Sequence, residues 1–142
     1  MDRTYPHTST SAAIVEDDFD RHDMPASAIE LALHLGRFNA ASIINALGGC
    51  SIKVPVINSE IYSGYLKDAI DDAALERMMK AYGGSILYIP TCKKTTRWKR
   101  DTCIRIKFDE LTKKISGNNA VFILSIEFKI SDREIWRIIK KL

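Results

Sequence analysis

At 142 residues and 16.0 kDa, the chain has the size of one domain or two very small ones. Its 46% hydrophobic and 27% charged residues are globular values, which exclude a disordered chain, a coiled-coil rod and a collagen-like protein. The net charge of +3 conceals a split: residues 1–92 carry seven Lys/Arg against twelve Asp/Glu (−5), and residues 93–142 carry fourteen against six (+8).

An acidic front joined to a basic back directs attention to the basic half as a surface for nucleic acid or for an acidic partner. No run approaches the ~18 apolar residues of a membrane span. The first residues, MDRTYPHTSTSAAIVEDD, lack the basic start and apolar core of a signal peptide, so a cytoplasmic protein without membrane contact is expected. Cys50, Cys92 and Cys103 form no CxxC pair, and His7, His22 and His34 fall at no metal-ligand spacing from them. Reduced thiols, no metal and no cofactor follow as expectations.

Residues 1–24 are rich in Ser, Thr and Asp and read as a flexible acidic tail. Pro25 suits a first helical turn, and the apolar pattern predicts helices over about 25–36 and 39–47. Gly48-Gly49 ends the second helix, and the alternating segment 50–54 reads as a strand stopped at Pro55.

A similar unit follows. Ile70, Ala74, Leu75, Met78 and Met79 predict a helix over 69–82, after which come Gly83-Gly84, a strand over 85–89 and Pro90. ALGGCSIKVP (46–55) and AYGGSILYIP (81–90) keep Ala, both glycines and Pro at the same offsets, 35 residues apart. Each Gly-Gly follows a helix, so it is a helix stop and cannot offer helix N-terminal amides to a phosphate. Strands this short are marginal alone and must pair with each other or with another chain. Residues 25–90 are therefore read as one region holding two helix–GlyGly–strand–Pro units.

Residues 91–96, TCKKTT, read as a linker opening the last region, 91–142. From about Arg97, Ile104, Phe108 and Leu111 recur at helical spacing while Arg97, Lys99, Arg100, Arg105 and Lys107 fill the other positions, an amphipathic helix with a cationic surface. Residues 116–119, SGNN, break it. A second helix spans roughly 119–128. Ser131-Asp132-Arg133-Glu134 is a capping box: Ser131 accepts from the Glu134 amide while the Glu134 carboxylate reaches back. The last helix starts near Asp132, with Ile135, Ile138, Ile139 and Leu142 on one face and Arg133, Trp136, Arg137 and Lys140 on the other. A helix, a short turn and a capped basic helix describe a helix-turn-helix, with small Ser125 allowing close approach. The fold expected is mainly α with short β-strands.

LERMMKAYGGSILYIP, a basic helix, and then NNAVFILSIEFKISDREIWRIIKKL together resemble the Mor family of phage transcription activators over about residues 70–142. The resemblance implies a helical dimerisation region, a Gly-Gly strand ending in Ile-Pro and a C-terminal helix-turn-helix. It also implies a homodimer that binds a two-part promoter site on double-stranded DNA and recruits RNA polymerase. Carried over by position, Arg133, Trp136, Arg137 and Lys140 would face the groove and contact bases. Gly83, Gly84, Tyr88, Ile89 and Pro90 would belong to the dimerisation or linker strand. Lys129 stands in the turn where the family commonly has glycine, and VFILSIEFKI is unusually apolar for a helix with one exposed side.

Two functions stand. One is a sequence-specific DNA-binding regulator in which Lys93, Lys94, Arg97 and Arg100 contact phosphates. The other is a protein-interaction module whose basic half binds an acidic protein. No enzyme is expected: Asp71-Asp72 and Glu16-Asp17-Asp18 are adjacent carboxylates that point apart on a helix, and no nucleophile–base set has a local signature.

Overall fold

The computed structural model describes residues 13–57 and 60–141, with side chains for all of these except 60–63. The protein is mainly helical. Its elements are a 3-10 turn (Glu16–Asp20), α1 (Ala26–Leu35), α2 (Arg37–Leu47), β1 (Ser51–Lys53), α3 (Glu60–Ala69), α4 (Asp72–Tyr82), β2 (Ile86–Tyr88), α5 (Lys93–Leu111), α6 (Gly117–Phe128) and α7 (Asp132–Lys140). The chain divides into two compact units, Ile14–Thr95 and one built on Thr96–Leu142.

The first unit is two copies of one motif. α2 and α4 match residue for residue at an offset of 35, and β1 and β2 form a two-stranded antiparallel ribbon centred on the pair Ile52 and Leu87. At one end the Gly49 amide donates to the Ile89 carbonyl (2.7 Å) and the Ile89 amide to the Cys50 carbonyl (2.9 Å). At the other the Gly84 amide donates to Val54 and the Val54 amide to Ser85, both at 2.9 Å. These are the same two bonds shifted by 35 residues. In each, two residues oppose one, which is a glycine bulge, and the first of the two is a glycine at positive φ (Gly49 +90°, Gly84 +84°).

The core of this unit joins both copies. Leu31 and Leu66 are equivalent and 1% exposed, Ile43 and Met78 are equivalent and buried, and so are Val54 and Ile89. Burying such side chains contributes about 1.5–3 kcal/mol each. Ser42 Oγ bonds the Ala69 carbonyl, and its equivalent Arg77 donates through Nε to the His34 carbonyl at 2.9 Å. Each copy thus satisfies the end of the other's first helix.

Four expectations are corrected. The acidic tail assigned to 1–24 is packed from Ile14 onward, with Ile14, Phe19 and Met24 buried in the core; residues 1–12 lie outside the described residues. Asp18 accepts from the Val15 amide at 2.9 Å, and Asp20 pairs with Arg37 at 2.6 Å. The predicted helix over 69–82 begins instead at Asp72, with Asp71 as cap accepting from the Ala74 amide (2.8 Å), and α3 precedes it. The 91–96 linker is helical from Lys93. Its Thr95 is buried, and the Thr95 hydroxyl donates to Asp23 at 3.2 Å, which moves the division of the chain from Pro90 to beyond Thr95.

Candidate nucleic-acid interface

The second unit is a small core carrying a polar outer face. Ile104 of α5, Val121, Leu124 and Phe128 of α6, and Ile135 and Ile138 of α7 form that core, with Phe108, Leu111, Ile130, Trp136 and Ile139 around it. Leu142, predicted on the apolar face, lies outside the described residues. α6 starts two residues earlier than the sequence suggests, because Ser116 caps it by accepting from the Asn119 amide at 3.2 Å.

The turn from α6 to α7 spans residues 129–131. Lys129 takes the left-handed conformation (φ 57°, ψ 42°), and its amide and that of Ile130 both return to the Ser125 carbonyl. This is the glycine-like ending of a helix, made by a residue that tolerates it less well. Ser131 then caps α7, its Oγ accepting from the Glu134 amide at 3.1 Å. The other half of the expected capping box is redirected: the Glu134 carboxylate is held by the Arg137 guanidinium, with Nε to Oε1 at 2.9 Å. That bond, the Arg137 charge, and the charges of Arg100 and Arg97 hold the Glu134 carboxyl below its ordinary range.

Asp132, Arg133, Trp136 and Lys140 line a shallow open groove of about 380 Å³ along α7. Arg133 and Lys140 are exposed. Trp136 is half-buried, its ring edge-on to Phe108 at 6.1 Å between centroids, with the Lys140 ammonium 5.4 Å above it. The indole therefore serves the core while one edge faces the groove. Asp132 belongs to this lining and was missed in the sequence, where it reads only as a favourable first-turn acid at a helix N-terminus.

Arg97 and Arg100 lie with Arg137 around one carboxylate. Arg100 is 4.0 Å from Glu134 and bonds Asp101 at 2.8 Å. Lys93 and Lys94 are exposed at the start of α5 but fall in the first compact unit. Two residues assigned to the cationic surface are structural instead. Arg105 donates to the Ile138 carbonyl at 3.1 Å, tying α5 to α7. Lys107 is buried, pairs with Glu127 of α6 and sits 5.3 Å from the Phe128 ring centroid.

Of the predicted strand residues, Ile89 and Pro90 are buried, Tyr88 is exposed, and Gly83 and Gly84 form the helix stop and bulge described above. On α6, Phe122 (64%) and Ile126 (61%) stand exposed one turn apart. Among the described residues no group of three or more His, Cys, Asp or Glu side chains is placed to hold a metal, and no helix is long and apolar enough to cross a membrane. Cys50 is exposed, and Cys92 is buried with its thiol pushed up to about 11, first by burial and then by Asp18 and Asp23.

The second unit is thus a basic helical pair that holds an open polar groove on a three-helix core. Comparison with protein families matches residues 59–142 to the Mor transcription activator family, and the chain belongs to that family. No curated protein and no solved structure matches the chain.

Proposed function

We propose that the chain is a sequence-specific double-stranded DNA-binding regulator of transcription in which α6, the 129–131 turn and α7 act as a helix-turn-helix. The observation that supports this best is the two-sidedness of α7. It buries Ile135 and Ile138 while Arg133 and Lys140 line an open groove and Arg137 stands beside Arg97 and Arg100. A single helix on a thin core can enter the major groove, where Arg reads guanine and a carboxylate such as Asp132 accepts from the cytosine amino group. Arg97 and Arg100, with Lys93 and Lys94 at the start of the same helix, contact phosphates and fix register. Lys140 is steered by the Trp136 face beneath it. Contact with RNA polymerase is part of the same reading, because the family is one of activators. The homodimer implied by the resemblance is no part of it, because of the two pairings open to the strands, with each other or with another chain, the one formed is within the chain.

The test is selection of bound duplexes from a random pool, followed by titration of the preferred site over a range of salt. Arg133→Ala should cost ~1–3 kcal/mol at one base position, whereas Arg97→Ala should weaken all duplexes alike and reduce the salt slope by about 1. Equal affinity for selected and random DNA would end the assignment. A second reading, a module binding an acidic protein, draws support from the exposed Phe122 and Ile126. It predicts no steep linear salt dependence with duplex DNA.

A further inference from the structure

We infer that the first repeat, residues 26–55, fills in this chain the place that a second chain's copy would take, so that one chain is the complete unit and brings one recognition helix to an undivided DNA site. The last clause rests on the DNA-binding reading; the rest stands on the first unit alone.

The pairing of the two copies is two-fold. Bonds across the ribbon come in mates shifted by 35 residues: Gly49 to Ile89 with Gly84 to Val54, and Ile89 to Cys50 with Val54 to Ser85. The helix contacts do the same, with Ser42 to Ala69 mated by Arg77 to His34. Such an interface uses the same patch on both partners and closes when they meet. Once the copies satisfy each other, neither keeps that patch for another chain.

The copies have also diverged in ways that favour this mixed pairing over a pairing of like with like. Asn39 of the first copy donates to Asp71 of the second at 3.1 Å and accepts from its amide at 3.3 Å. The equivalent of Asn39 is Ala74 and that of Asp71 is Gly36, so two second copies could not make this contact. The Tyr82 hydroxyl donates to Glu30 at 2.8 Å, and here the equivalents are Leu47 and Tyr65. On the outward face of the ribbon, Ser51 and Lys53 face Tyr88 and Ile86, whereas two identical strands would present identical sides.

The family match begins at residue 59, so it takes in the second copy and the basic helices and leaves out the first copy. The first copy leads after Pro55 into α3, and only the second leads after Pro90 into α5, α6 and α7. One closed pair therefore carries one basic helical pair.

Light scattering on the full chain should give 16.0 kDa at every working concentration; twice that mass overturns the inference. A double variant, Ser51→Cys with Tyr88→Cys in a Cys50→Ser background, places two thiols opposite each other across the ribbon. Oxidation should give a disulfide within one chain, and a covalent two-chain product on a non-reducing gel overturns the inference. If this variant does not fold, the mass of the unmodified chain decides alone. On DNA, one chain should bind each selected site without cooperativity between two adjoining sites; two chains on a single site overturn it. Failure to bind DNA refutes the DNA-binding reading and leaves the mass and cross-linking results to judge the closed pair.

Discussion

The ribbon bulges make the sign of a glycine substitution depend on position, which gives a sharp test of the fold. At Gly84 φ is +84°, and a Cβ would meet the Val56 Cγ2 at 3.5 Å, an ordinary contact. Space is available, so Gly84→Ala is charged for the backbone alone, about 1–2 kcal/mol for an L residue held left-handed. Gly49 is its equivalent at +90°, where the Cβ meets the Thr91 Cγ2 at 3.2 Å. Thr91 must shift by a few tenths of an ångström, so Gly49→Ala should cost slightly more. Gly64 lies inside α3 with nothing within 4 Å of a Cβ, and there Ala should stabilise by about 0.5–1 kcal/mol through helix propensity. Urea unfolding followed by far-UV circular dichroism measures all three. The midpoint should fall for Gly49→Ala and Gly84→Ala and rise for Gly64→Ala, with unchanged slopes. A neutral Gly84→Ala, or the same direction at Gly64 as at Gly84, would refute the bulge geometry.

Other outcomes follow from single contacts. Lys129→Gly should stabilise the Thr96–Leu142 unit by about 0.5–1 kcal/mol by relieving the left-handed lysine, read as a raised thermal midpoint. Ser131→Ala should cost about 1 kcal/mol by freeing the Glu134 amide, detected as faster hydrogen exchange in the first turn of α7. Glu127→Ala strips a buried lysine of its carboxylate and should destabilise by about 1–2 kcal/mol, more than Lys107→Met, which removes the charge itself; chemical denaturation of both variants gives the order. Since only the thiolate alkylates, the buried Cys92, with its thiol raised to about 11, should stay unmodified at pH 8 while exposed Cys50 reacts, as peptide mass mapping will show.

Local signals in the sequence were readable where a short segment carries its own cause. The Gly-Gly stops, Pro55 and Pro90, and the Ser131 cap each act within a few residues, and the elements beside them begin and end close to where they were expected. α3 was not readable, because its sequence EIYSGYLKDA includes Ser and Gly and its helicity draws on packing of Leu66 and Ala69 against distant residues. Packing of residues 14–24 was hidden for a related reason. Ile14, Phe19 and Met24 are spaced five apart along a 3-10 turn and irregular chain, which shows neither helical nor strand periodicity. In the site, composition marked the basic half but could not say which charges face outward. Arg105 and Lys107 have the same chemistry as Arg97 and Arg100, and only the partners Ile138 and Glu127, more than a dozen residues away, distinguish them.

That sorting changes what the +8 of the basic half means. Lys107 is spent on Glu127, Arg105 on a carbonyl of α7 and Lys99 on the carbonyl of Ala13, while Arg100 is shared between Asp101 and Glu134. In the proposed DNA-binding role the available cationic surface is therefore smaller than net charge suggests, and counterion release should follow the outward cations and not the sum. The residues proposed to read bases differ in the same way. Arg133 lines the groove, whereas Arg137 is already bonded to Glu134 and must exchange that partner for a base or phosphate. On the proposed reading its net gain on DNA is the difference between two charge-assisted bonds, so Arg133→Ala should cost more base discrimination than Arg137→Ala, measured as affinity for the selected site against its single-base variants.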